Sequence, residues 1–149
     1  MCLDAARKVG QSPTNESVSL ETPSVASTAK VAGMAGIGID LCEIARMQRL
    51  LDENRSLRRM FTESEEAYIR SKHATAAQTM AGLFAAKEAV LKALGTGMSV
   101  AMTDIVIGHT ELGQPVVILT GKAAEFGGTV MISITHEAGM AAAMAVWMK

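Results

Sequence analysis

Residues 34 to 149 predict an α+β domain in which helices and strands are segregated along the chain. Apolar spacing is helical from Ile44 to Leu94 and turns strand-like from Asp104 to Trp147, with one short alternating run ahead of both. The length agrees, since 149 residues suit one compact domain with some chain left over.

Residues 1 to 33 are a different material, in which Ser, Thr, Pro, Asn and Gly interrupt every hydrophobic period. They read as an unstructured tail. Met34 stands just before the first strand-like run, which makes it the candidate true start and residues 1 to 33 a mis-called extension. Peptides of the natively expressed protein from upstream of Met34 would refute this. The domain proper is then 34 to 149.

Gly36 to Leu41 alternates Ile37, Ile39 and Leu41 against Gly38 and Asp40, as a strand does. Ile44, Met47, Leu50 and Leu51 then recur at helical spacing to about Asn54. Thr62-Glu63-Ser64-Glu65 fits a capping box, in which hydroxyl and carboxylate each satisfy an orphan amide, so a helix is expected from Glu63 to about Lys72. Ala76 to Leu94 is rich in Ala, Leu, Met and Lys, has no Pro and stops at Gly95. A long helix follows, with Met80, Phe84, Leu91 and Leu94 towards the core. Strands are expected at 104–108, 116–120, 129–135 and 140–147, set off by Gly, Pro and charged turns. In the last of these Met140, Met144 and Val146 share one face and Ala141, Ala143 and Ala145 the other. Both faces are apolar, so both need a cover, a helix on one side and another subunit on the other.

Composition narrows the function. Apolar residues make up 49% of the chain and aromatics 3%, so Ala, Val, Ile, Leu and the 11 methionines must fill the core. Fourteen basic against fifteen acidic residues give a net charge of −1, without the footprint of a dedicated nucleic-acid binder. Cys2 and Cys42 show no disulfide framework or metal spacing, which points to a reducing compartment. No apolar run reaches the ~18–20 residues that span a bilayer, and the first residues lack a signal core. A soluble cytoplasmic protein is expected.

Three clusters could carry chemistry. Asp40 ends an otherwise apolar strand, where a carboxylate serves as a turn or helix-capping residue or as a ligand. Glu88 and Lys92 stand four apart on one helix face, ahead of the Gly95-Thr96-Gly97 loop. That is either a surface ion pair above a helix cap, or a metal-seeking oxygen pair with a cation and a close backbone approach, suited to a diphosphate. His136, followed by Glu137, Ala138 and Gly139, is either a solvated hairpin tip or a ligand contact.

In this order, Gly36-Ile37-Gly38-Ile39-Asp40, then Phe84-Ala85-Ala86-Lys87-Glu88 through Gly95-Thr96-Gly97, the Gly113-Gln114-Pro115 turn and Ile132-Ser133-Ile134-Thr135-His136 resemble the holo-acyl-carrier-protein synthase family. The likeness covers nearly all of residues 34 to 149. It implies helices packed on a small antiparallel sheet in a homotrimer with active sites between neighbouring chains. It also implies transfer of 4'-phosphopantetheine from coenzyme A to a serine of apo-acyl-carrier protein, in fatty acid synthesis, with release of 3',5'-adenosine diphosphate. By the same resemblance Asp40 and Glu88 hold Mg²⁺, a hard ion suited to two carboxylates plus phosphates and waters. Lys92 neutralises phosphate charge and assists catalysis, while Glu88 takes the serine proton directly or through a water. Gly95, Thr96, the Gly113 to Pro115 turn and His136 line the coenzyme site.

Arg46, Arg49, Arg55, Arg58 and Arg59 face only Asp52 and Glu53 in their own stretch. Such a run is a solvated face or, given an acidic carrier helix, a docking face, with Arg46 first and Arg49 next. Leu83 departs from the family pattern, which often has Arg there, so the contact to the coenzyme's 3'-phosphate must be missing or come from elsewhere. The rival readings are a non-catalytic module that binds coenzyme A or the carrier, and a structural oligomeric domain.

Overall fold

The fold is built around one long helix laid across a three-stranded sheet. The computed structural model describes residues 33–97 and 99–149; the tail expected over residues 1 to 33 lies, Gly33 apart, outside them. Strand β1 (Met34–Glu43) leads into α1 (Ile44–Asp52), α2 (Glu63–Ser71) and α3 (Ala76–Leu94), and these are followed by β2 (Ile105–His109), β3 (Pro115–Leu119), β4 (Thr129–Glu137) and β5 (Met140–Met148). Single 3-10 turns at His73–Thr75 and Met102–Asp104, and a longer one at Gly121–Phe126, join them. The expected antiparallel sheet is divided in two. β1-β5-β4 form one, and the β2-β3 hairpin forms the other.

Helix α3 has the expected bounds because Gly95 takes a left-handed φ of 68° and its N–H closes on the carbonyls of Leu91 and Lys92. Helix α2 starts at the expected capping box, with the Thr62 N–H donating to Glu65 Oε2 at 2.8 Å. Met80, Leu91 and Leu94 are buried on α3, whereas Phe84 is half-buried and carries Arg46 over its ring at 5.3 Å.

Strand β1 inverts the usual placement of apolar side chains. Its face towards α3 carries Gly36, Gly38, Asp40 and Cys42, while Ile37, Ile39 and Leu41 are 61%, 64% and 62% exposed. The reason is steric. A Cβ on Gly36 would overlap the Ala93 carbonyl, and one on Gly38 the Ala89 carbonyl, so only glycine lets this strand lie directly on the helix backbone. Asp40, two residues on and on the same face, is thereby delivered against the C-terminal half of α3.

Ala141, Ala143 and Ala145 of β5 are buried, on the face that packs on α3. Register places Ile37, Val146 and Met131 in one row across the opposite face, and Ile39, Met144 and Ser133 in the next. Met131 and Met144 are exposed there. Among the described residues this apolar face has no cover.

A buried ion pair ties the helices to the second sheet. Lys87 is fully buried on α3, and its ammonium donates to Glu65 Oε2 at 2.7 Å and to the Met102 carbonyl at 3.0 Å, beside the Phe61 ring. The other Glu65 oxygen accepts the Ile107 N–H at 2.8 Å. The N3 residue of the capping box is therefore also the counter-ion of a core lysine. Burial pushes the Lys87 pKa down, with Glu65 pulling it back up.

Candidate active site

The Lys92 ammonium donates to Asp40 Oδ1 at 2.7 Å and to the Ile39 carbonyl at 2.9 Å. Strand β1 and helix α3 thus meet in one ion pair, with the Asp40 side chain 18% and the Lys92 side chain 51% exposed. Lys92 also lines a cavity of about 670 Å³ with Arg59, Met60, Glu88, Leu91 and Gly95. Its wall is mostly apolar. None of the ion pairs among the described residues engages Glu88, so its carboxylate is available. Thr96 is spent locally, since its N–H and hydroxyl both donate to the Leu91 carbonyl, at 3.2 and 3.3 Å. Glycines at 95 and 97, both at positive φ, keep the loop beyond α3 slim.

The expected metal pair can be tested against this donor set. Among the described residues no three His, Cys, Asp or Glu side chains gather to hold a metal ion. Asp40, paired with Lys92, and Glu88, on the cavity wall that Lys92 shares, do not make an all-protein cage. They suit an ion that keeps its waters and shares substrate phosphates, which is how Mg²⁺ is usually bound.

The other expected coenzyme contacts lie elsewhere on the chain. Pro115 and His136 line a second cavity of about 560 Å³ with Tyr68, Lys72, Gln78 and His109 among others, and Gly113 lies on its rim. His136 belongs to β4 and is not the hairpin tip, which Ala138 and Gly139 form at φ of 49° and 80°. Its Nδ1 lies 3.3 Å from the Gln78 amide nitrogen. The first half of α3, from Gln78 to Leu83, lines this cavity, and the second half, from Glu88 to Lys92, lines the other with Gly95 just beyond it. Their midpoints are separated by roughly 15 Å of helix at 1.5 Å per residue. One chain therefore presents the predicted site residues as two separate half-sites.

The arginine-rich stretch is less free than its sequence suggests. Arg49 reaches Glu43 at 3.9 Å, Arg55 reaches Glu53 at 2.8 Å and Arg58 reaches Glu63 at 3.7 Å. Glu43 and Glu63 lie outside the run, so sequence counting missed them. Arg46 is held over Phe84 and Arg59 borders the Glu88 cavity.

Tyr68, Lys72 and His109 were not anticipated. The Tyr68 and His109 rings stack with centroids 4.6 Å apart, and the Lys72 ammonium lies 4.4 Å from the Tyr68 centroid. Burial, then the nearby Lys72 charge, holds the His109 pKa below the usual imidazole value. No local pattern links residues on α2 and β2, but Tyr68 and Lys72 do stand four apart on one helix face.

Residues 36–141 match the family model of the 4'-phosphopantetheinyl transferase superfamily. A holo-(acyl-carrier-protein) synthase of Trichlorobacter lovleyi is 40% identical over 120 residues, covering 74% of this chain and 94% of that one. The corresponding protein of Clostridium acetobutylicum is 42% identical over 118 residues, covering 74% and 94%. Among solved structures, the Bacillus anthracis holo-(acyl-carrier-protein) synthase in complex with CoA (3',5'-ADP) superposes with a TM-score of 0.67 at 34% identity, covering 79% of this chain and 99% of that one. The Helicobacter pylori enzyme in complex with coenzyme A gives 0.66 at 32%, covering 74% and 98%. With the glycine-lined strand, the helix and the loop that carry the expected motifs all inside the matched span, the chain belongs to the 4'-phosphopantetheinyl transferase superfamily.

Proposed function

We propose that this protein is a Mg²⁺-dependent holo-acyl-carrier-protein synthase that transfers 4'-phosphopantetheine from coenzyme A to a serine of apo-acyl-carrier protein and releases 3',5'-adenosine diphosphate. The observation that carries this reading is the meeting of Asp40 with Lys92, beside an unpaired Glu88 and a slim Gly-Thr-Gly loop. The residues suit a diphosphate. Asp40 and Glu88 would hold Mg²⁺, which when bound supplies charge stabilisation on the diphosphate oxygens.

Lys92 is half-exposed, so it can leave Asp40 and follow the phosphate on which negative charge builds as the leaving group departs. Glu88 is the one carboxylate lining the cavity, which makes it the acceptor for the serine proton. Gly95 and Thr96 border the phosphates, and Pro115 and His136 the nucleotide. Arg46 and Arg49 on α1 offer the cationic face on which an acidic carrier helix docks. The domain that does this begins at Met34 and works in the cytoplasm; among the described residues no helix is long and apolar enough to cross a membrane.

The two half-sites and the open apolar sheet face favour one assembly. In a homotrimer packed through Ile37, Ile39, Leu41, Met131 and Met144, the Asp40 half-site of one chain faces the His136 half-site of its neighbour, and one coenzyme molecule reaches both. Sedimentation at micromolar concentration is expected to give a trimer, and a monomer would refute this arrangement.

Intact-mass measurement of an apo-carrier protein incubated with coenzyme A, Mg²⁺ and this protein tests the function directly. A gain equal to the phosphopantetheine arm is expected. Coenzyme A binding without any gain would instead mark a non-catalytic binding module.

A further inference from the structure

From Met80 to Leu94 every residue of α3 is buried except Phe84, Glu88 and Lys92. They stand four apart, so they form one open stripe along the helix. Glu88 and Lys92 carry the proposed chemistry. Phe84 is an aromatic ring with nothing to ionise.

What covers that ring is Arg46. Its guanidinium lies 5.3 Å from the Phe84 centroid, within cation–π range, where α1 packs on α3. Arg46 is exposed, and none of the ion pairs among the described residues engages it, whereas Arg49, Arg55 and Arg58 each reach a glutamate. The difference is chemical. A carboxylate holds a guanidinium by neutralising it, so an incoming acid must displace the partner already there. An aromatic face orients the group and leaves its charge and its N–H donors to an outside anion. Phe84 also stands one turn before Glu88, about 6 Å along the helix at 1.5 Å per residue. The ring that holds the cation is therefore one turn from the carboxylate proposed to accept the serine proton.

We infer that Phe84 is a positioning residue for carrier docking: its ring seats the Arg46 guanidinium, still charged, where an acidic side chain of the carrier helix meets it. This rests on the reading above, in which Arg46 docks the carrier. Arginine is a rotamer-rich side chain, and seating it beforehand lowers the ordering cost of docking. Phe84 therefore acts on the affinity for the carrier, through Arg46, and not on the affinity for coenzyme A.

Calorimetric binding of an apo-acyl-carrier protein to the full chain, in a double-mutant cycle of Phe84→Leu and Arg46→Met, tests it. Phe84→Leu is expected to weaken binding roughly two- to fivefold, the worth of one exposed cation–π contact. Phe84→Tyr keeps a ring face and is expected to bind as the wild type does. In the Arg46→Met background Phe84→Leu is expected to cost nothing further. Affinity for coenzyme A should be the same throughout, and a thermal melt checks that each variant is folded at the assay temperature.

A wild-type affinity in Phe84→Leu overturns the inference. So does a loss that persists at full size in the Arg46→Met background, or one that Tyr does not rescue, since the ring would then act by packing or by touching the carrier itself. Carrier modification followed by mass in the same preparations separates the two readings. Transfer with Phe84 and Arg46 acting independently refutes only the positioning role, and a coupled pair with no transfer refutes only the transferase assignment. A wild type that binds no carrier overturns the docking face and the inference with it.

Discussion

Replacing Asp40 by Ala or Glu88 by Gln is expected to lower carrier modification by roughly a thousandfold, in line with the loss of one preorganised electrostatic group at a charged transition state. The fold should survive either change. Asp40 is bound to Lys92 in a pair whose lysine is half exposed, and such a pair stabilises a protein by no more than about 1 kcal/mol. Glu88 has no ion pair among the described residues, and Gln keeps its shape. The melting temperature should therefore move by only a few degrees. Each variant is to be assayed for phosphopantetheine transfer at saturating coenzyme A and Mg²⁺, and melted without substrate. Wild-type turnover in either one would contradict the shared metal assignment, whereas a collapse of the melt would make that residue's role structural.

The chain's local chemistry was legible before any coordinates. The end of helix α3 was legible because Gly95 readily takes the left-handed turn, and the start of α2 because Thr62 and Glu65 satisfy each other's amides. The motif residues Asp40, Glu88 and Lys92 were legible too, and Asp40 and Lys92 do meet across a separation of 52 residues. The placement of β1 was not, because alternation tells which side chains share a face but not which face is inside. Ile37, Ile39 and Leu41 turn outwards because the glycines, not the isoleucines, can approach α3. The separation of His136 and Pro115 from Asp40 was equally hidden. It follows from the strand order β1-β5-β4 and from a second, separate hairpin, both set by pairing remote in sequence. Lys87 is a different kind of miss. It lies seven residues from both Met80 and Leu94, so it occupies a core position of α3, and that spacing was on view in the sequence.

Lys87→Ala is expected to be the most destabilising single change, at about 3–5 kcal/mol, because it leaves the Glu65 carboxylate charged in the core without its counter-ion. Against a total stability of roughly 5–15 kcal/mol, that is a large share. Removing both charges should cost less than removing one. In the Glu65→Gln, Lys87→Met double variant the Gln side-chain oxygen can still accept the Ile107 N–H, and Met fills the lysine's volume, so no buried ion is stranded. Urea denaturation of the two single variants and the double variant measures this. Single losses that simply add in the double variant would show that the two side chains do not act as a unit. The consequence for activity separates this pair from its neighbour in sequence. In the proposed function Glu88 touches the reaction, so Glu88→Gln should lower turnover steeply in molecules that remain folded. Lys87 holds α3 against α2 and β2 from the buried side, so turnover in its variants should fall only with the folded fraction and return where low temperature or a bound nucleotide restores the fold.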